Sequence, residues 1–442
     1  MNKLQPAIVR FSFITEIDQP TSKASISAGA MKMEKARNLH YSKVYLCALF
    51  IVLYASTLID EPNILVGTFR LKIAYATFPI LALLLAPINP RLPKAAIVYS
   101  LVFLSALMPS MAFTHNRAGS IAFLVGAIIT IGITLYFSYL SSQLGTERVT
   151  KLFIYFYRFS IIVAALLFIT GIHERARFTL YEPSYFAIAL IPYISITLIR
   201  IYSKRDFPAV DTAMVLTALI TTSSASLFIW ILLCLALVWW RKSQAKLKTG
   251  LISFGIALLS LSLLVNFNDR AKAAYNIVAN GGEALALAIN VGGNRLQRIL
   301  VTLDVTQKFP LVGVGMNAMT SYAAQYLDNS DYELDGMSAS DFDLNEVSKA
   351  VNTYLDIASE TGLIGLCGYL CFLLYIYRRK GHSLEFEAFH IAFVATSIAL
   401  MAESSYLRAY VWSLYGVIVG LSSYENSRFT DTPAKDSVPL GT

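Results

Sequence analysis

The stretch SIAFLVGAIITIGITLYFSYL, residues Ser120 to Leu140, contains no charged side chain and decides the fold class. A helix of about 20 apolar residues is long enough to cross the hydrocarbon core of a bilayer. Comparable runs recur along the chain, for example VYLCALFIVLYASTLI at 44–59 and AAIVYSLVFLSALMPSMAF at 95–113. Only 14% of the 442 residues are charged, whereas soluble domains have about a quarter. The sequence therefore predicts an all-α polytopic integral membrane protein.

We expect about 12 transmembrane helices. The predicted spans are 44–59, 73–88, 95–113, 119–141, 152–171, 184–199, 210–223, 226–240, 250–266, 354–377, 387–403 and 406–423. The short pair 210–223 and 226–240 is compatible with two spans or with one re-entrant hairpin. Both alternatives return the chain to the same side of the membrane, so the later spans keep their orientation.

The distribution of lysine and arginine predicts the topology. One set of connections, together with both termini, carries 23 of the 36 basic residues, and the positive-inside rule makes that set cytoplasmic. Both termini are then cytoplasmic, as a basic tail at 1–43 and a tail at 424–442. Spans 1–9 occupy 44–266 and spans 10–12 occupy 354–423. The long segment 267–353 between spans 9 and 10 is predicted to lie outside the cytoplasm.

Composition excludes several classes of site. The four cysteines fall within predicted spans and the five histidines are scattered, so we predict no metal site and no cofactor. The stretch KFPLVGVGMNAM at 308–319 contains a Gly-x-Gly, but it lacks the complete phosphate-loop pattern. It also falls in the segment predicted to face away from cytoplasmic nucleotides. A nucleotide-binding loop is therefore excluded, and no role for nucleic acid is expected.

The segment IHERARFTLYEPSYFAIAL at 172–190 places charged residues directly before a predicted span. A carboxylate near hydrocarbon is energetically expensive, which makes Glu182 a candidate functional residue. The alternative is an interfacial Glu182 paired with a nearby arginine, Arg175 or Arg177. Pro183 is suited to the start of the following helix.

The segment NRLQRILVTLDVTQKFP at 294–310 predicts a helix that Asn294 caps and Pro310 ends. Leu296, Leu300 and Leu303 form its predicted apolar stripe. Arg295 and Arg298 are three residues apart and project as neighbours. Paired guanidinium groups suit a phosphate because each can bind it with two hydrogen bonds. The alternative is an ordinary surface helix with two solvated arginines.

Two further segments complete the set of candidate residues. In FPLVGVGMNAM, Gly313 and Gly315 permit a close approach of the backbone, although an ordinary turn is the alternative. In VNTYLDIASETGLIGLCGYLCFLLYIY, the polar Asn352 leads into a span whose TGLIG sequence predicts a break. Arg408 lies at an outer membrane face, where its side chain could also be snorkelling.

The order of these parts resembles the bacterial O-antigen polymerase and O-antigen ligase superfamily. The resemblance rests on an Arg-containing helix, then P-L-x-G-x-G, a polar loop, and x-N-x-Y-L-x-x-x-x-E-x-G-x-x-G opening a span. The Glu-Pro-Ser element at 182–184 is similar to one in the polymerase branch. The ligase branch has a histidine before the asparagine of the last motif. Val351 occupies that position here, which favours a polymerase.

The resemblance implies a glycosyltransferase of the bacterial inner membrane that uses glycans linked to polyprenyl pyrophosphate. Arg295 and Arg298 would then hold the pyrophosphate, Arg175 and Arg177 the second substrate, and Glu182 would be the catalytic base. Gly313, Gly315, Asn352 and Arg408 are the further candidates for substrate binding. The implied partners are lipid-linked oligosaccharides, a chain-length regulator and a flippase. A ligase is the alternative within this class, and a multi-span transporter or glycolipid flippase is the alternative from another class.

Overall fold

The computed structural model describes residues 43–59, 63–66, 69–85, 92–203, 208–242, 295–328, 350–404 and 407–430. The chain divides into a unit at Met1–Tyr45 and a unit at Leu46–Thr442, and the second unit forms the fold described below. Residues 1–42 of the predicted basic tail, the predicted span 250–266 and the predicted cap Asn294 lie outside the described residues.

Within the described residues the fold is helical apart from one hairpin. The helices of the described residues are α1 (Lys43–Thr57), α2 (Ile73–Leu85), α3 (Lys94–Ala112), α4 (Arg117–Leu144), α5 (Thr146–Ile169), α6 (Pro183–Ala189), α7 (Ile191–Tyr202), α8 (Ala209–Thr222), α9 (Ala225–Lys242), α10 (Arg295–Lys308), α11 (Met319–Tyr326), α12 (Thr353–Tyr377), α13 (Leu384–Ala399) and α14 (Ala409–Thr430).

The hairpin was not predicted from the sequence. Strand β1 (Asn63–Val66) pairs antiparallel with strand β2 (Phe69–Lys72), and Asn63 lies opposite Lys72 while Val66 lies opposite Phe69. It fills the connection between α1 and α2, where the sequence indicated a short loop. The description as all-α therefore needs this small correction.

Four described helices, α3, α4, α5 and α12, are long and apolar enough to cross a membrane. The pair α6 and α7, bent by 45°, makes a fifth if it counts as one broken span. The helices α1, α2, α8 and α9 are apolar but shorter. Large apolar side chains such as Leu83, Ile220 and Trp240 are more than 70% exposed, as expected for a surface that faces lipid. The chain is therefore a membrane protein.

The core is rich in aromatic residues, and part of it lies where α3, α4, α12 and α14 meet. Trp412 of α14 is completely buried, and its ring centroid lies 5.8 Å from that of Phe103 in α3 and 5.3 Å from that of Phe372 in α12. The hydroxyl of Thr134 in α4 donates to the carbonyl of Trp412 at 2.9 Å. These contacts fix α14, which directly follows Arg408, one of the charged residues described next.

Candidate functional site

Four charged residues from three distant parts of the chain converge at one end of the helical bundle. Glu403 and Arg408 belong to the α13–α14 connection, Arg295 begins α10, and Glu182 precedes α6. The Nη2 atom of Arg295 lies 3.9 Å from Oε1 of Glu403. Glu182 and Arg408 both act electrostatically on the Glu403 carboxyl group. We call these four residues the Glu403 cluster.

The environment of Glu403 disfavours its charge. Burial raises the pKa of its carboxyl group above the ordinary value, and Glu182 raises it further. Arg295, Arg408 and a hydrogen bond with the side chain of Ser184 lower this pKa, and the net shift is upward. Its side chain is only 5% exposed, and its Oε1 accepts no hydrogen bond from any described residue. A buried oxygen without a hydrogen-bond donor calls for an explanation. A bound ligand at this position would provide one.

Arg408 is held by an aromatic ring. It is 8% exposed, and its Cζ atom lies 3.5 Å from the centroid of the Tyr185 ring, within the range of a cation–π interaction. Tyr185 belongs to the first turn of α6, so this contact joins the α13–α14 connection to the segment that carries Glu182. Arg408 is therefore a buried member of the cluster rather than a snorkelling side chain.

Glu182 occupies the position that precedes α6, and Pro183 follows at the start of that helix, as predicted. Its Oε2 atom accepts a hydrogen bond of 3.1 Å from the hydroxyl of Ser184. No ion pair joins Glu182 to Arg175 or Arg177 in the part of the chain that the structure describes. The alternative of an interfacial salt bridge with either arginine therefore has no support.

Hydrogen bonds within the loop before Glu182, and from this loop to neighbouring segments, fix its conformation. Nη1 of Arg177 donates to the carbonyl of Tyr181 at 2.6 Å, and the hydroxyl of Thr179 donates to the carbonyl of Leu58 at 2.7 Å. The Ala176 amide donates to the carbonyl of Thr221 at the end of α8. Arg177 thus stabilises the loop, whereas Arg175 points into an exposed position.

Helix α10 exists as predicted and presents Arg295 at its first residue. The Arg295 side chain is 48% exposed, so its ion pair with Glu403 is only partly shielded from water. The Nε atom of Arg298 is buried and has no hydrogen-bond partner among the described residues. Two guanidinium groups thus keep hydrogen-bonding capacity at the start of this helix.

The predicted leucine stripe of α10 does not coincide with its most buried side, and the side chain of Leu296 lies outside the described residues. Leu300 and Leu303 are 36% and 37% exposed, whereas Val301 and Val305 are completely buried. The two valines pack in a small cluster with residues of the α10–α11 connection and α11, among them Val314. The side of the helix that packs is therefore rotated relative to the leucines, because its partner is a local apolar cluster rather than the main core.

The glycine stretch after α10 pairs with the break in α12. The amide groups of Val314 and Gly315 donate to the carbonyls of Ser359 and Glu360, both at 3.0 Å, and the Leu363 amide donates to the carbonyl of Pro310 at 2.8 Å. The predicted break is present, since Gly362 has φ 67° and ψ −174° within α12. The carbonyls that the break frees from the helix are thus satisfied by the glycine stretch.

The contact requires glycine on both sides. A Cβ atom at Gly313 would lie 2.4 Å from the backbone of Glu360, and one at Gly362 would lie 2.1 Å from the carbonyl oxygen of Leu311. Both residues also have positive φ values. The glycine turn therefore joins α10 to α12, and the amide groups of residues 313–315 are used within the chain.

The start of α12 is tied to the Glu403 segment. Asn352 caps this helix, since its side-chain oxygen accepts from the amides of Tyr354 and Leu355 at 3.0 and 3.2 Å. The hydroxyl of Thr353 donates to the carbonyl of Glu403 at 2.7 Å. Asn352 is therefore placed as a capping residue beside the cluster, with its side-chain oxygen already occupied.

Sequence reasoning missed Glu403, although the signal was available. The residue falls at the last position of the predicted span 387–403, and a carboxylate at the end of a span is the same observation that selected Glu182. Within the described residues, no group of three or more His, Cys, Asp or Glu side chains is arranged to hold a metal ion. The cluster can hold a polyanion through its guanidinium groups and accept a proton through its carboxylates.

These observations define a polytopic helical membrane protein with guanidinium and carboxylate groups gathered at one end of the bundle. Residues 210–370 match a family model described as O-antigen ligase, which confirms the resemblance to the O-antigen polymerase and ligase superfamily. The match contains Arg295 and Arg298 but ends before Glu403 and Arg408 and begins after Glu182. No curated protein matches the chain.

Proposed function

We propose that this protein polymerises oligosaccharide repeat units carried on polyprenyl pyrophosphate, for O-antigen, capsule or exopolysaccharide synthesis. The observation that carries the proposal is the Glu403 cluster, in which cations for a diphosphate lie beside two carboxylates. The family match and the predicted resemblance support a reaction on lipid-linked glycans. Val351 at the position of the ligase histidine favours the polymerase.

The reaction moves a growing glycan onto the terminal sugar of an incoming unit. The bond between the anomeric carbon and the pyrophosphate oxygen breaks, and a bond from the acceptor hydroxyl oxygen to that carbon forms. The hydroxyl proton passes to a carboxylate, and polyprenyl pyrophosphate leaves with the electron pair. The protein must therefore stabilise the charge of the departing diphosphate and supply a base.

Arg295 and Arg298 are proposed to bind the diphosphate. The ion pair of Arg295 with Glu403 is long, at 3.9 Å, and half exposed, so a diphosphate oxygen can replace the carboxylate as its partner. Arg298 adds a guanidinium whose buried Nε atom lacks a hydrogen-bond partner among the described residues. Arg408, buried against Tyr185, supplies positive charge without needing to move.

Glu182 is proposed as the base, because its carboxylate accepts a hydrogen bond from the hydroxyl of Ser184 and forms no ion pair with a residue that the structure describes. Glu403 is proposed to orient Arg295, since its Oε1 atom lies 3.9 Å from Nη2 of that arginine. Another candidate base, Asp304, forms an ion pair of 2.8 Å with Lys308, and Asp343 lies outside the described residues. Arg175 is proposed to contact the acceptor unit, while Gly313, Gly315 and Asn352 position α10 and α12.

The proposal includes the predicted topology of about twelve spans in the bacterial inner membrane, with both termini in the cytoplasm. The segment 267–353 then faces outward, together with the Glu403 cluster. Reporter fusions at Lys246 and Asn329 test this arrangement and are expected to give opposite signals. The same signal at both positions would contradict the topology and every role assigned to the cluster.

A ligase is the second candidate, because the matching family model carries that description. Purified protein with lipid-linked repeat units distinguishes the two. A polymerase forms a ladder of longer lipid-linked chains from these units alone, whereas a ligase also requires a lipid A core or protein acceptor. In cells, loss of a flippase abolishes all outer glycan, whereas loss of a polymerase leaves single repeat units on the acceptor.

A further inference from the structure

A cavity of about 890 Å³ lies at the opposite end of α12 from the Glu403 cluster. The last turn of α9, the α12–α13 connection and the first turns of α13 form its walls. Helix α12 begins at Thr353, whose hydroxyl donates to the carbonyl of Glu403, and ends at Tyr377, which lines the cavity. The cavity therefore opens at the other surface of the membrane and plays no part in the reaction proposed above.

The charge of this cavity is strongly unbalanced. Arg241, Arg378, Arg379 and Lys380 line it, and Glu387 is the acidic residue in its lining. None of these four cations forms an ion pair with a residue that the structure describes. In the neighbouring cavity, by contrast, Lys151 is paired with Glu147 at 2.6 Å.

Two of the guanidinium groups are fixed by neutral partners. The imidazole of His390 is buried, and Tyr377 provides a carbonyl 2.8 Å from its Nε2 atom. The Nε2 atom therefore carries the proton, and Nδ1 accepts from Nη2 of Arg241 at 2.8 Å. The Cζ atom of Arg379 lies 4.1 Å from the centroid of the Tyr375 ring. These partners orient positive charge without neutralising it.

Topology alone does not require this arrangement. The positive-inside rule needs only basic residues near the ends of spans, and solvated side chains satisfy it. Here basic residues from two separate segments surround one cavity, and a buried histidine fixes the orientation of one of them. An arrangement of oriented, unneutralised guanidinium groups suits an anion with several oxygens, such as a phosphate.

The flank of α12 indicates that the phosphate belongs to a lipid. Leu370, Leu374 and Tyr377 follow each other at spacings of four and three residues on one side of the helix, and each is more than 40% exposed. This apolar strip ends at the cavity, which Tyr377 also lines. An acyl chain along the strip would bring its headgroup to the four cations.

We propose that this cavity binds the phosphate of an anionic phospholipid headgroup. The same chemistry could be satisfied by free phosphate, so the test includes both. The proposal does not depend on the glycan reaction, because its test measures lipid binding to the purified protein and uses no elongation assay.

The experiment titrates the purified full-length protein in detergent with dioleoyl phosphatidylglycerol, dioleoyl phosphatidylcholine or inorganic phosphate. Thermal unfolding and native mass spectrometry report binding. We expect phosphatidylglycerol to raise the Tm by several degrees and to remain bound in the mass spectrum, whereas phosphatidylcholine does neither. Equal effects of the two lipids would overturn the proposal. An equal effect of inorganic phosphate at the same concentration would overturn its lipid part.

Two variants, one from each wall, locate the site. Arg241→Gln and the double variant Arg378→Gln/Arg379→Gln should each weaken the apparent affinity for phosphatidylglycerol at least fivefold. Lys151→Gln is the matched control on the same membrane surface, and it should respond as the wild type does because Lys151 is already paired with Glu147. Arg241→Gln leaves the basic α12–α13 connection intact. If the double variant fails to fold, Arg241→Gln alone therefore still tests the site. A wild-type response from Arg241→Gln would overturn the site.

Discussion

Two buried carboxylates, Glu403 and Asp211, lie at the two ends of the bundle and differ in how fully the protein satisfies them with hydrogen bonds and ion pairs. The Asp211 side chain is 1% exposed and receives Nε of Arg158 at 2.7 Å, the hydroxyl of Tyr193 at 2.7 Å and Nη1 of Arg200 at 2.9 Å. Glu403 is 5% exposed, yet its recorded ion pair is 3.9 Å long. Asp211 is fully satisfied within the protein, whereas Glu403 is not.

Backbone strain follows the same division. The non-glycine residues with positive φ in the described part of the chain are Phe178, Ser223, Asn317 and Val351. All four lie in the connections at the end that carries the Glu403 cluster. Strained backbone persists where the surroundings enforce it, and it gathers at functional sites. The Asp211 carboxylate is therefore satisfied within the protein, whereas the Glu403 end combines residues of positive φ with a buried carboxylate oxygen that accepts no hydrogen bond from a described residue.

The largest effect is expected for Glu182→Gln, which keeps the shape of the side chain and removes its basicity. Because a general base accelerates a reaction by about 100-fold or more, chain elongation by the purified protein should fall by that factor. The amount of folded protein in the membrane should not change. Glu174→Gln is the matched control, since Glu174 is an exposed residue of the same loop. Near-normal elongation by Glu182→Gln would transfer the role of the base to another carboxylate of the outer segment, with Asp304 or Asp343 the next to be tested.

Arg295→Ala should reduce elongation by about 10- to 100-fold, because Arg298 remains to bind the diphosphate. The double variant with Arg298→Ala should abolish polymer. Arg295→Lys should recover little activity, since an ammonium group lacks the planar pair of donors. Arg117→Ala, at an exposed position at the start of α4, serves as the control. Full activity in the double variant would exclude the proposed diphosphate site.

The direct test of the comparison exchanges each carboxylate for its amide. Asp211→Asn should lower the free energy of unfolding by about 2 kcal/mol, less than for a fully buried pair because both arginines are about one third exposed. The activity of the protein that remains folded should be preserved. Glu403→Gln should leave the Tm unchanged or higher and reduce elongation about tenfold. The reverse pattern in thermal unfolding and elongation assays would refute the division between the two ends.

The pH dependence of stability tests whether the folded protein disfavours the charged form of Glu403. Because the pKa of Glu403 is raised above its ordinary value of 4.5 in the folded protein, the stability associated with this group is lost as the pH rises above that value. Lowering the pH from 7 towards 5 should therefore stabilise the wild type relative to Glu403→Gln. Thermal unfolding of both proteins over this range measures the difference. A difference that moves in the other direction would mean that the carboxylate is stabilised as an anion.

Local sequence patterns predicted many of the helices. They could not predict contacts between residues that are distant in the sequence. Helix α10 and the break at TGLIG depend on neighbouring residues and are confirmed. Of the predicted spans, four or five of the described helices are long and apolar enough to cross a membrane. The approach of Arg295 to Glu403 joins positions more than 100 residues apart, and no spacing rule reports it. For the same reason the burial of Val301 and Val305 in α10 was not predicted, because their packing partner is a separate turn of the chain.

The smallest effect concerns the strain at Val351, whose φ of 58° is unfavourable for a β-branched side chain. Asparagine tolerates this conformation, so Val351→Asn should stabilise the protein by about 1 kcal/mol and raise the Tm by a few degrees. Val351→Ala is the matched control, because it shortens the side chain but keeps a Cβ atom in the same unfavourable conformation. Thermal unfolding of the three proteins decides the matter. If asparagine gives no more stability than alanine, the backbone at Val351 is not a store of strain, and the contrast between the two ends then depends on the carboxylates alone.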